Sequence, residues 1–354
     1  VGLHGPERHL GVLGAPLPGQ GLGGPWRSLV ARIRLPLHRV LHAVSSETQE
    51  PAGRLINCRL ELYMPERLDI IKTCKLFIGG SFPRTESGRS APVHDGRGRV
   101  MAHVCIASRK DLREAVEAAR RACAGWADAS AYLRGQILYR MAEMLESRRE
   151  EFASAISTTT PLTPAKARRE VDASIDRLVR FAGWADKFQQ LLGCQNPVAG
   201  PYYNFSVPQP SGITGILSPD APSLLALVTM ISAPLCAGCP VVAVASESSP
   251  LPAVLLGEVC ATSDIPGGVV NILTGNRAEL IEPMAEHREL QVIAAANLKP
   301  AQRELIQAAA ADGLKRVHLL DHSDAAWLDD DLAASPWEIE PYLDTKTIWH
   351  PSAT

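Results

Sequence analysis

The chain has 354 residues, enough for one large domain or two with a full core. A hydrophobic fraction of 46% and a formal net charge of −2 describe an ordinary globular composition. That balance carries neither the basic excess of a nucleic-acid binder nor a charge suited to a membrane surface.

Residues 1–63 differ from the rest of the chain: they are rich in Gly, Pro, Leu and Arg, and the first 45 hold a single acid, Glu7. The apolar stretch Ser28–Val44 is cut by Arg32, Arg34, Pro36 and Arg39, so it is no secretory core. A poorly ordered extension is expected here. An Arg-rich, acid-poor organelle transit peptide is one alternative, and a native product that begins at Met64 is another. The remaining stretch, 64–354, reads as the folded part.

Lys75–Ile78 predicts an edge strand ending in the Gly79-Gly80 turn. Ser108 and Asp111 have capping-box spacing before a helix with Leu112, Ala115, Val116, Ala119 and Cys123 on one face. A second helix starts near Ser130, with Ile137, Met141, Met144 and Leu145 in register. A third starts near Thr163, carries Val171, Ile175, Leu178 and Ala182, and runs on towards Phe188. Gly193–Pro210 has too many prolines for a central strand; an exposed hairpin arm around Tyr202–Val207 is expected, and such an apolar arm calls for a partner subunit.

Ser211–Gly275 is the organising stretch. Three apolar runs, Ile213–Leu217, Pro240–Val244 and Gly268–Leu273, alternate with helix-length apolar segments. Runs without polar alternation are strands covered on both faces. The pattern continues with a helix at Arg277–His287, a strand at Leu290–Ala296, a helix at Pro300–Asp312 and a strand at Lys315–Leu320. An acidic stretch comes next, with Asp329–Asp331 read as a solvated loop, then a last strand at Lys346–His350. The fold class is α/β: a doubly wound, mostly parallel sheet with an N-terminal helical layer. Ligands of such sheets sit beyond the strand carboxyl ends, at the loops starting at Ser218, Ala245 and Thr274.

Several motifs in this order resemble the aldehyde dehydrogenase superfamily: KLFIGGSFPRTESGR (75–89), Ala124-Gly125-Trp126, SAPLCAGCPVVAVASESSPLPA (232–253), DIPGGVVNILTG (264–275) and AAADGLKRVHLL (309–320). The ending TKTIWHP (345–351) is similar to that of short actinobacterial members and of the truncated second module of the aldehyde dehydrogenase 16 family. The resemblance implies a Rossmann-type NAD(P) domain, a hairpin arm used in oligomerisation, and a catalytic domain. There a Cys thiolate attacks the aldehyde, hydride passes to the nicotinamide, a Glu activates water, and an Asn helps hold the oxyanion.

Carried over by position, that chemistry is eroded. The Asn falls at Ala221 and the general-base Glu at Leu320, and no Cys lies beyond Leu320, so no catalytic residue is assigned and a catalytic domain is expected to be missing. A Lys that pairs with the ribose and phosphate region falls at Val244, and the phosphate turn falls at Ala295–Leu298. The cofactor-binding positions that remain are Leu217, Ser218, Pro219, Glu247 and Gly275, implying weak binding of NAD or NADP and no metal. The expected function is that of a catalytically degenerate family member. It would act as a structural or regulatory subunit in a homo- or hetero-oligomer with a full-length aldehyde dehydrogenase. An active NAD(P)-dependent aldehyde oxidoreductase and a stand-alone nucleotide-binding module are the alternatives.

Eight cysteines are scattered without framework spacing, most in apolar segments, which suits a reducing cytoplasm. No apolar run reaches the ~20 residues of a membrane helix. Cys236 and Cys239 form a CxxC beside a strand, read as structural with redox chemistry as the alternative. His318, Asp321 and His322 straddle a strand end, where a spacing of four does not converge as it does on a helix.

Overall fold

The computed structural model describes residues 70–352. The expectations for residues 1–63 and for a start at Met64 lie outside the described residues. In chain order, β1 (Lys72–Cys74), β2 (Ser90–His94) and β3 (Val100–Cys105) form a small sheet ordered β1-β3-β2. The helical layer comes next: α1 (Arg109–Ala127), α2 (Ala131–Ser147), α3 (Arg149–Thr159), α4 (Pro164–Trp184) and α5 (Phe188–Leu192). Then come β4 (Cys194–Asn196), β5 (Tyr202–Pro210), β6 (Ile213–Leu217), α6 (Leu225–Ala237), β7 (Val241–Val244), α7 (Leu251–Ala261) and β8 (Val270–Leu273). The chain ends with α8 (Arg277–Glu286), β9 (Leu290–Ala296), α9 (Pro300–Asp312), β10 (Arg316–Leu320), α10 (Asp324–Leu328), α11 (Asp330–Ala333), a 3-10 helix (Pro336–Tyr342) and β11 (Leu343–Pro351).

Five strands pair in parallel in the order β10-β9-β6-β7-β8. Successive side chains on a strand point to opposite faces, and both faces here are apolar. Ile216, Val241, Ala243, Val292 and Ala294 pack with α2, α3, α4, α6 and α7. Leu217, Val242, Val244, Ile293 and Ala295 pack with α1, α8 and α9. That two-sided cover is why the strands read as unbroken apolar runs. α6 is buried along its whole length and so has no polar face. It stops at Gly238, in the left-handed region at φ 100, where a Cβ would lie 2.9 Å from the Pro210 ring. Among the described residues no helix is long and apolar enough to cross a membrane.

Local signals located α1, α2 and α4 well. Ser108 and Asp111 form the reciprocal capping box of α1, and the Ser130 and Thr163 hydroxyls cap α2 and α4. The segment 149–159 forms a helix of its own, α3, for which the sequence carries no clear signal. It starts directly where Arg148 leaves helical geometry, and only Phe152, Ala153 and Ile156 are buried, too few to show a period. The expected strand at Lys75–Ile78 is also different. The ladder lies earlier, at β1, while Phe77 exchanges two backbone hydrogen bonds with Ile272 at the β8 edge. Leu76 and Phe77 are apolar because they enter opposite faces of the large sheet.

The segment expected to form a hairpin arm is part of a three-stranded antiparallel sheet, β11-β5-β4. β5 is its middle strand despite its prolines. β4 reaches only Asn204–Ser206, so Pro208 and Pro210 pair on the β11 side alone. β11 runs along all of β5, longer than the expected Lys346–His350.

Candidate functional site

The strand order reverses between β6 and β9, and the crevice of a doubly wound sheet opens at that point, beyond the carboxyl ends. One lip is the loop after β6. Leu217, Ser218 and Pro219 are buried there, with Ser218 N donating to Val244 O at 3.0 Å and its hydroxyl unpartnered. Ala221 is exposed, and Val244 is a buried strand residue.

Asp220 and Arg277, which sequence reading did not single out, tie this lip to its neighbours. Asp220 Oδ1 accepts from Glu247 N at 3.0 Å, Ser248 N at 3.3 Å and Arg277 Nη2 at 3.2 Å. The Ser246 hydroxyl donates to Asp220 O at 3.0 Å. Glu247 is exposed, and its Oε2 accepts from Arg277 N at 3.3 Å, placing a carboxylate on the first turn of α8 where the helix dipole favours it. Gly275 has a packing role: at φ 140, a Cβ there would lie 2.9 Å from Ala107 N, and Ala107 N donates to Thr274 O at 2.8 Å. A signal for Asp220 was present in the sequence: a lone carboxylate between Pro219 and Pro222, directly after an apolar strand.

The other lip is the turn after β9. Asn297 takes φ 52, and its side chain exchanges two 3.0 Å hydrogen bonds with the His322 backbone. Leu298 is buried, and Gln302 Oε1 accepts from Lys299 N at 3.1 Å at the start of α9.

After Leu320, residues 321–342 pass directly from β10 to β11 and close over α4 and α6. Trp327, Ile339 and Tyr342 enter the same core as the sheet. Arg177 of α4, fully buried, holds this segment. It donates to Trp327 O and Ala333 O at 2.8 Å and to Thr229 Oγ1 at 2.9 Å, and pairs with Asp330 at 3.3 Å. Burial draws its pKa below the ordinary arginine value. Asp330 also pairs with Arg180 at 2.7 Å, and Asp329 caps α11. The acidic run is therefore a helix start and an anchor for Arg177, not the solvated loop the composition suggested. Glu170, also on α4 and buried, accepts from Leu224 N at 2.8 Å and caps α6 from the side, and burial pushes its carboxyl pKa up.

The thiols lie elsewhere. Cys236 lies in the last turn of α6 and Cys239 two residues before β7, at the amino end of the sheet, opposite the crevice. Burial pushes them up to about 12 and about 11, so both stay protonated, and the Cys239 thiol donates to Tyr342 O at 3.3 Å. Cys260 is likewise pushed up to about 12. His318 packs edge-on against Tyr342, and His322 lies tilted against Trp327. Among the described residues no three His, Cys, Asp or Glu side chains converge as metal ligands.

The aldehyde dehydrogenase family model matches residues 84–327. Retinal dehydrogenase 2 of Gallus gallus is 32% identical over 255 residues, covering 70% of this chain and 48% of that protein. Cytosolic aldehyde dehydrogenase 1 of Elephantulus edwardii is 30% identical over 254 residues, covering 70% and 50%. Among solved structures, an NAD+ complex of an aldehyde dehydrogenase from Bacillus cereus superposes with a TM-score of 0.67 at 26% identity, covering 70% of this chain and 51% of that one. The chain thus spans about half the length of these relatives.

Proposed function

The chain belongs to the aldehyde dehydrogenase family, and from that premise we propose that it is a catalytically degenerate member, a structural or regulatory subunit beside a complete aldehyde dehydrogenase. The observation that carries this reading is the path of the chain after β10. The resemblance puts the nucleophile beyond Leu320, yet residues 321–342 contain no cysteine and are packed into the sheet core on their way to the arm. Ala221 offers a methyl group where the family's oxyanion donor would stand, and an oxyanion needs a donor at that point.

The crevice as it stands does not fit a tightly held dinucleotide. The amides of Glu247 and Ser248 already serve Asp220, and Val244 brings no charge. Any binding of NAD or NADP is weak on this reading. The arm is the docking element: Tyr202, Tyr203 and Trp349 expose aromatic surface on it. The described cysteines are free and mostly buried, which suits a cytoplasmic setting.

The test is sedimentation of the purified chain with and without a complete family member from the same cell. The reading expects self-association or a mixed oligomer, lost on Trp349→Glu. A monodisperse monomer that ignores the complete enzyme would overturn it.

A further inference from the structure

One arrangement in the crevice goes beyond the loss of catalytic residues. Asp220 turns from the end of β6 towards the loop after β7, and its Oδ1 takes three N–H donors at once, from Glu247, Ser248 and Arg277. Two successive backbone amides plus a guanidinium are a donor set suited to a phosphate or carboxylate oxygen. Here the chain supplies that oxygen itself. Arg277 is only 8% exposed with its Nε unpartnered, and the buried Ser218 hydroxyl is unpartnered as well, so donor capacity at these strand ends exceeds what the protein uses.

We infer that Asp220 is a resident anion that shuts nucleotide phosphate out of the crevice. The inference deepens the degenerate-member reading and rests on it. The Asp220 side chain is 53% exposed, so hydrogen bonds rather than packing hold it, and it can leave without opening the core. Once it leaves, the two amides and the Arg277 guanidinium lose this acceptor at the carboxyl ends of β6, β7 and β8, and a nucleotide phosphate oxygen has the charge and lone pairs to take them.

The experiment titrates the full chain with NADH, read by nucleotide fluorescence, as wild type, Asp220→Ala, Asp220→Asn and the double variant Asp220→Ala/Arg277→Gln. The wild type is expected to bind weakly. Asp220→Ala should bind at least about tenfold tighter, which corresponds to ~1.4 kcal/mol. Arg277→Gln in the double variant should take that gain back, and inorganic phosphate should compete with NADH in Asp220→Ala. Asp220→Asn keeps the size and an acceptor oxygen but no charge; it should gain less, and it decides the matter if the Ala variant does not fold. Unchanged affinity in the folded Asp220 variants, or a gain indifferent to phosphate and to Arg277, overturns the inference and leaves the degenerate reading standing. Aldehyde oxidation by the wild-type chain alone overturns the degenerate reading, whatever the Asp220 variants do.

Discussion

Arg177→Met tests whether the segment 321–342 is a built closure or a loose loop. The substitution keeps the long apolar stem and removes the guanidinium. It leaves Trp327 O and Ala333 O without their donor inside the core. Each unsatisfied buried group costs about 1–3 kcal/mol, so the two carbonyls together set a loss of about 2–6 kcal/mol. Two effects pull the net towards the lower end. Removing a fully buried charge relieves its desolvation, and Asp330, one-third exposed, keeps Arg180 as a partner. The expected net loss is about 3 kcal/mol, read as a lower urea midpoint at unchanged slope. Hydrogen exchange adds the location: amides of 324–342 should lose protection first. A loss under about 1 kcal/mol, or early exchange confined to other elements, would mean that Arg177 does not hold this segment.

The same geometry sets three further outcomes. Glu170 has its folded pKa raised by burial, so the fold favours its protonated form. Stability from this group is fully present below its unfolded pKa and is lost as pH rises through the folded value; Glu170→Gln should remove that loss and be at least as stable as wild type near neutral pH, and a wild-type-minus-variant difference that does not change with pH would contradict it. Gly275→Ala forces a Cβ against Ala107 N at positive φ and should destabilise by about 2 kcal/mol in urea, an effect present without any nucleotide. Thiol labelling with subsequent peptide mapping should reach exposed Cys194 in the native chain and Cys236, Cys239 and Cys260 only after unfolding; ready formation of a Cys236–Cys239 disulfide under mild oxidation would restore the redox reading.

What the sequence disclosed was governed by range. β6, β9 and α9 keep the bounds read from it, because apolar runs and a proline at the first helical position are local signals. The capping box at Ser108 is equally local. α3 escaped because three buried residues do not make a period, and β1 because apolarity at 76–78 marks entry into two cores rather than a ladder. The family resemblance pointed to the loops at the strand ends and set the expectation that polar groups are missing at Ala221 and Val244. It could not disclose what fills the space. Asp220 meets donors from Glu247, Ser248 and Arg277 on other loops, and Arg177 meets carbonyls from Trp327 and Ala333 far along the chain. Pairings of that span depend on the sheet being assembled first, and no local pattern records them.

On the proposed reading, this chain keeps the family's scaffold without its chemistry. That reading is tested most directly by capturing the native protein from its own cell. Aldehyde-dependent NAD reduction is then measured on the chain alone and on the assembly that co-purifies with it. Turnover is expected only in the co-purified assembly, with none by the chain alone. Steady NADH formation by the chain alone would contradict it.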